Sequence, residues 1–241
     1  MTIEGKTILV TGANRGIGQA LVTEALRRGA RRVYAGTRQP LTHPDERVTP
    51  LTLDVTDAAQ IQAAADQIES LDVLINNAGV FLPDDLGDRT ALDQHLAVNF
   101  FGTYGVTQAF LPELARSQGV IVNNVSLAAL APVPITPAYS ISKAAAFNMT
   151  QSLRVLLAAQ GVRVHAVLMG PVDTEMIQAL DIPKAAPESV ARAIFDAVDR
   201  GEEDIFPDPL SASFADSWQD GPAKTLERQN AALVQPQPAT A

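Results

Sequence analysis

Thr11-Gly12-Ala13-Asn14-Arg15-Gly16-Ile17-Gly18 follows the apolar run Thr7-Ile8-Leu9-Val10 and opens a helical stretch over residues 16–28. Glycines at such a junction let the main chain turn tightly and come close to a bound group, because they carry no Cβ. The first amides of the helix lack intrahelical partners and point at that group, where they stabilise negative charge. The order strand, glycine loop, helix therefore predicts a pyrophosphate seat at the start of a parallel α/β sheet. The spacing here is Gly-x-x-x-Gly-x-Gly, not Gly-x-Gly-x-x-Gly, and alone it is a weak signal.

Working outward, short β-branched runs alternate with longer helical stretches, the pattern of repeated βαβ units. The predicted strands cover residues 7–10, 32–35, 49–53, 73–76, 120–125 and 163–168, with a brief last one at 205–206. Helices are predicted over 16–28, 58–69, 91–117, 138–160 and 189–199, with one or two more between 208 and 233. Residues 39–47 contain Pro40 and Pro44, too short and broken for a helix, so this crossover reads as a loop. The fold expected is a single Rossmann-like, doubly wound α/β domain over residues 1–241, with a mostly parallel seven-stranded sheet and helices on both faces. Residues 235–241 read as a frayed tail.

Composition narrows the function. The 241 residues are 46% hydrophobic and 19% charged, ordinary for a soluble globular protein, and the formal charge of −9 would repel nucleic acid and anionic membranes. The absence of cysteine excludes disulfides and thiolate metal sites, and His43, His95 and His165 show no ligand spacing, so no metal is expected. No leader-like start and no apolar stretch of membrane-spanning length is visible, so a cytoplasmic protein is expected.

A second constellation lies further along. Tyr139-Ser140-Ile141-Ser142-Lys143 places a phenol and an ammonium four residues apart, on one face of a predicted helix. A phenol with a pKa near 10 shuttles protons poorly at neutral pH, and a neighbouring ammonium would lower that value. Ser126 ends the fifth predicted strand, Leu53-Asp54-Val55 closes the third, and Asn76-Asn77-Ala78-Gly79 closes the fourth. Ligands of open α/β sheets bind at such strand ends.

These motifs, with Asn99, resemble the short-chain dehydrogenase/reductase family in order and spacing over roughly residues 5–200. The resemblance implies hydride transfer between a nicotinamide and a carbonyl or secondary alcohol. It makes Tyr139 the general acid/base, Ser126 the group that orients the carbonyl, Lys143 the partner of the nicotinamide ribose, and Asn99 the support of that lysine through water. The cofactor would lie along Gly12, Asn14, Arg15, Gly16, Ile17 and Gly18, then Asp54 and Val55, then Asn77, Ala78 and Gly79, reaching Tyr139 and Lys143. Val172 and Thr174 would hold its carboxamide.

Gly36-Thr37-Arg38 ends the second strand with no carboxylate to hold a ribose 2′-hydroxyl. Arg38 with Arg15 could instead pair with a 2′-phosphate, so NADP(H) is expected over NAD(H). The chain departs from the family in three places. Met169-Gly170-Pro171 stands where many relatives have Pro-Gly, the segment after Thr174 is short, and the Val-Asp-Gly-Gly type of ending is missing. The substrate pocket is therefore expected to be open, or covered by residues 208–233.

The surplus of apolar residues in helices 91–117 and 138–160 suggests a homo-oligomer, dimer or tetramer. The leading expectation is an NADP(H)-dependent carbonyl reductase or alcohol dehydrogenase for small molecules. A 3-oxoacyl-carrier-protein reductase is the alternative, and it would want a basic docking patch that a −9 chain disfavours. A non-catalytic NADP(H)-binding regulator would have no need of Tyr139.

Overall fold

The computed structural model describes residues 2–233, and the tail at 235–241 lies outside them. Seven strands form one sheet: β1 (Thr7–Thr11), β2 (Arg32–Thr37), β3 (Val48–Thr52), β4 (Val73–Asn76), β5 (Val120–Asn124), β6 (Arg163–Val167) and β7 (Asp204–Ile205). All pairings are parallel, in the order β3-β2-β1-β4-β5-β6-β7. The order reverses between β1 and β4, so a crevice opens at their carboxyl ends. Into that crevice run Gly12 and Asn77, the residues that follow these two strands.

Every residue of β1, β4 and β5 is buried, as expected of strands covered on both faces. Side chains alternate between the two covers. Ile8 and Val10 join the core beneath α1 (Gly16–Arg27) and α6 (Pro187–Arg200), while Leu9 faces the core of α2 (Ala58–Gln67), α4 (Thr103–Ser117) and α5 (Pro137–Leu157). Phe110 of α4 is fully buried there, and burying a side chain of that size contributes about 1.5–3 kcal/mol. Residues 38–47 carry no helix, in keeping with their prolines.

The stretch predicted as one helix over 91–117 is three pieces: α3 (Arg89–His95), a π-helical segment (Leu96–Gly102) and α4. A π turn admits an extra residue and re-aims the side chains within it. Asn99 sits in that segment, 1% exposed. Gly102 closes it against Val55, whose Cγ2 would lie 2.6 Å from any Cβ added there.

Beyond β7 the chain forms α7 (Pro209–Ala212), α8 (Ala215–Gln219) and α9 (Pro222–Ala232), more helix than the sequence suggested. Lys224 anchors α9: its ammonium is 1% exposed and pairs with Glu203, Asp204 and Glu227, while Arg154 of α5 meets the same carboxylates. Trp218 of α8 donates its indole N–H to Asp204 at 2.9 Å. The C-terminal helices are thus bound to the β7 edge.

Candidate active site

The glycine loop is built for close approach. Gly12 and Gly16 hold φ of +65° and +54°, conformations that side chains rarely adopt. A Cβ on Gly18 would stand 2.0 Å from the Gly12 carbonyl oxygen, and one on Gly12 would stand 3.0 Å from Ala78 Cα. Thr11 Oγ1 accepts the N–H groups of Asn77 and Ala78, each at 3.0 Å. In return Asn77 Nδ2 donates to the carbonyls of Thr11 and Gly12 at 2.9 and 3.1 Å. Loop and β4 exit are therefore one rigid cradle.

Helix α1 starts at that cradle with Arg15 as its N-cap, and no side chain caps it. By contrast Asp57 caps α2 and Asp88 caps α3. The first amides of α1 are left for an anion, in the place a pyrophosphate would take. A cleft of about 690 Å³ runs from here, lined by Gly12, Asn14, Arg15, Gly16, Ile17, Gly18, Arg38, Asp54, Val55, Asn77, Ala78, Gly79, Tyr139, Lys143 and Thr174 among others. These residues, brought together from the ends of β1, β2, β3 and β4, from α5 and from the segment after β6, fit an extended dinucleotide.

Val172 does not join them. Its side chain is 4% exposed and packs in the α1/α6 core, pairing through its main chain with Ala185, so only that main chain could meet a carboxamide. Arg15 ion-pairs across the cleft mouth with Glu175, a partner the sequence did not suggest. Both side chains are more than half exposed, so the pair is a weak strap. Arg38 is exposed on the rim near Asp54. The Asp54 carboxyl is held below the usual carboxylate range, first by the Thr56 amide and to a smaller extent by the positive field of Arg38.

At the other end of the cleft, α5 presents Tyr139 and Lys143 one turn apart. Lys143 is 6% exposed and donates to the Asn124 carbonyl at 2.8 Å. Burial lowers its pKa to about 8. The Tyr139 phenol behaves otherwise than the sequence suggested: burial pushes it up to about 12, and a hydrogen bond with Ser126 only partly offsets that. The Lys143 ammonium lies 5.7 Å from the Tyr139 ring centroid, yet burial is what governs the phenol. Tyr139 is therefore a neutral acid across the physiological range.

Asn99 lies behind these groups, not in the cleft. Its amide donates to the Val80 carbonyl at 3.1 Å and to Ser142 Oγ at 2.9 Å, and its carbonyl oxygen accepts the Val80 N–H at 2.9 Å. Ser142 Oγ in turn donates to the Tyr139 carbonyl at 2.7 Å. The π-helical segment thus fixes the wall Val80-Phe81-Leu82 to the turn of α5 that carries the phenol. Phe81 meets the Tyr139 ring edge-on at 5.1 Å.

His95, which looked bland in the sequence, is fully buried 6.0 Å from the same ring. Its Nδ1–H donates to the Ala91 carbonyl at 2.8 Å and its Nε2 accepts the Leu82 N–H at 3.0 Å, so the ring bridges helix and wall. Asn124 was also missed. It donates to Asn77 Oδ1 at 2.8 Å, while its own side-chain oxygen is buried without a protein partner. Asparagines at the ends of buried strands were the available signal, since polar residues there need a reason.

Residues 6–184 match the family model described as short chain dehydrogenase. The chain belongs to the short chain dehydrogenase family. It is 34% identical over 213 residues to oxidoreductase UcpA of Salmonella typhimurium, covering 80% of this chain and 81% of that protein. It is 35% identical over 199 residues to mouse (Mus musculus) estradiol 17-beta-dehydrogenase 2, covering 76% of this chain and 52% of that one. A crystal structure of a short chain dehydrogenase from Burkholderia cenocepacia J2315, in complex with NADP, superposes with a TM-score of 0.87 at 36% identity, covering 95% and 98% of the two chains. This short chain dehydrogenase is accordingly an oxidoreductase, and its cleft joins the glycine cradle to Tyr139 and Lys143.

Proposed function

We propose that this short chain dehydrogenase interconverts a neutral, apolar carbonyl compound and its alcohol with NADP(H), using Tyr139 as proton donor and acceptor. The observation that carries the reading is the Tyr139 phenol, one helical turn from the buried Lys143 ammonium, at the end of the cleft that the glycine cradle opens. NADP(H), when bound, supplies or accepts the hydride. The cradle would hold its pyrophosphate, Arg15 and Arg38 its 2′-phosphate, Lys143 its ribose, and Thr174 with the Val172 main chain its carboxamide. The NADP-bound relative at 36% identity supports the choice of cofactor.

For the chain's own residues the chemistry is direct. In reduction the neutral phenol donates its proton to the carbonyl oxygen as negative charge grows there, and the Ser126 hydroxyl turns its one hydrogen from the Met169 carbonyl to donate a second hydrogen bond. In oxidation the same oxygen takes the alcohol proton from the small phenolate fraction that a raised pKa leaves, so reduction is the direction the neutral phenol favours. Phe81 packs on the phenol ring, and the cleft walls also include Leu82, Met169 and Met176, which suit an apolar substrate. Incubating the protein with NADPH or NADH and a panel of neutral ketones, aldehydes and 3-oxoacyl thioesters tests the reading. NADPH-dependent loss of absorbance at 340 nm with a neutral ketone supports it. Tight NADPH binding with no turnover on any member would favour a non-catalytic sensor.

Burial of Lys143 gives a pH signature. A lysine lowered to about 8 is charged below that pH and neutral above it, so the site loses its ammonium as pH rises through 8. In the reductive direction kcat/KM for NADPH, which reports the free enzyme, should fall tenfold per pH unit above about 8. A plateau reaching pH 10 would contradict this.

The same reading includes a cytoplasmic homo-oligomer. Among the described residues no helix is long and apolar enough to cross a membrane. Phe101 and Tyr104 near the start of α4, with Ile141 and Leu156 on α5, are 43–63% exposed, an apolar area suited to a second copy. Light scattering should report at least two chains per particle, and Phe101→Asp with Leu156→Asp should reduce that to one. A monomeric wild type would contradict the assignment.

A further inference from the structure

Asp208 lies outside every motif read from the sequence. It follows β7 and is 4% exposed. Its Oδ2 accepts the Gly170 N–H at 2.7 Å and the Ser211 hydroxyl at 2.7 Å, while Oδ1 accepts the Leu210 and Ser211 amides at 3.1 and 3.0 Å. The last two bonds cap α7. The Gly170 bond serves no cap and reaches across 38 residues of sequence to the exit of β6.

The peptide that it holds is shared with the catalytic group. The N–H of Gly170 and the carbonyl of Met169 belong to one peptide plane. On its carbonyl side that plane accepts the Leu127 N–H at 2.9 Å and the Ser126 hydroxyl at 3.5 Å. A carboxylate on the N–H side fixes the plane and strengthens its carbonyl as an acceptor. Four residues further on, Thr174 lines the cleft with its methyl against the glycine loop. Gly170 leaves room for the clamp, because a Cβ there would stand 2.8 Å from Asp208 Oδ1.

We infer that Asp208 is a positioning residue for the reaction: from the C-terminal segment it fixes the Met169–Gly170 peptide, which sets Ser126 on one side and the loop to Thr174 on the other. The inference rests on the reading above that this loop seats the nicotinamide half of NADP(H). The C-terminal segment then acts on the site from behind, since none of residues 208–233 lines the cleft.

Calorimetric titration of the full chain with NADPH, and separately with adenosine 2′,5′-bisphosphate, which carries only the phosphorylated adenosine half, tests it. Asp208→Asn keeps the shape and one acceptor for the α7 cap but can turn an amide donor toward Gly170. Its Kd for NADPH should rise about tenfold while the bisphosphate Kd stays within about twofold. Gly170→Ala, which crowds the same clamp from the other side, should give the same selective loss. Ser211→Ala, which leaves the Gly170 bond in place, should bind both ligands as wild type does.

Equal loss of both ligands in Asp208→Asn and Gly170→Ala would reduce Asp208 to a structural cap and overturn the inference. Unchanged NADPH binding in both would do the same. Wild-type protein that binds neither nucleotide would instead overturn the dinucleotide reading, and this one with it.

Discussion

Replacing Tyr139 with phenylalanine should lower kcat for ketone reduction about a thousandfold, within the range that a positioned general acid supplies. The variant should still bind NADPH within about twofold of wild type. The ring is held by Phe81 at 5.1 Å and His95 at 6.0 Å, and both contacts survive loss of the hydroxyl. Lys143 keeps its bond to the Asn124 carbonyl, which does not pass through the phenol. What disappears is the proton and the hydrogen bond to Ser126. Steady-state rates and a binding titration on the same preparation separate the two effects. Undiminished turnover would remove Tyr139 from the proton transfer.

Arg38→Asp should lower the NADPH to NADH specificity ratio about a hundredfold. A hydrogen bond to a charged group contributes about 1.5–3 kcal/mol, and a tenfold change corresponds to about 1.4 kcal/mol. The substitution removes an attraction and adds a repulsion, so the upper part of that range applies. The new carboxylate would also stand at the end of β2, where a 2′-hydroxyl can be held. NADH efficiency should therefore rise while NADPH efficiency falls. Position 38 is exposed, so stability should change little. An unchanged ratio would pass the selection to Arg15, which is bound to Glu175 until an anion competes for it.

The parts of the site that could be read in the sequence are those encoded by local spacing. Tyr139 and Lys143 meet because a helix brings positions four apart onto one face, and Gly12, Gly16 and Gly18 because a strand, a turn and a helix follow one another. The mostly parallel sheet followed from the βαβ rhythm, and the loop at 39–47 from its prolines. What escaped was tertiary. The stretch 91–117 looks uninterrupted in hydrophobic pattern, yet its π-helical segment turns Asn99 toward Val80 and Ser142.

His95 and Asp208 act through partners far along the chain, and nothing in their own neighbourhoods marks them. Val172 was assigned to the cleft by resemblance, and its side chain went to the core. The phenol pKa went the other way from the simple charge argument, because the same fold that brings Lys143 close also strips water from Tyr139. Counting the charge without the desolvation gives the wrong sign.

The most direct measurement follows the hydride itself. NADPH carrying deuterium on either face of nicotinamide C4 is incubated with the protein and a neutral ketone, and the alcohol formed is weighed by mass spectrometry. The expected result is one deuterium on the carbinol carbon from one of the two labelled faces and none from the other, with no product from Tyr139→Phe on the same timescale. Alcohol without deuterium from either face, or NADPH bound and never consumed, would contradict hydride transfer as the work of this cleft.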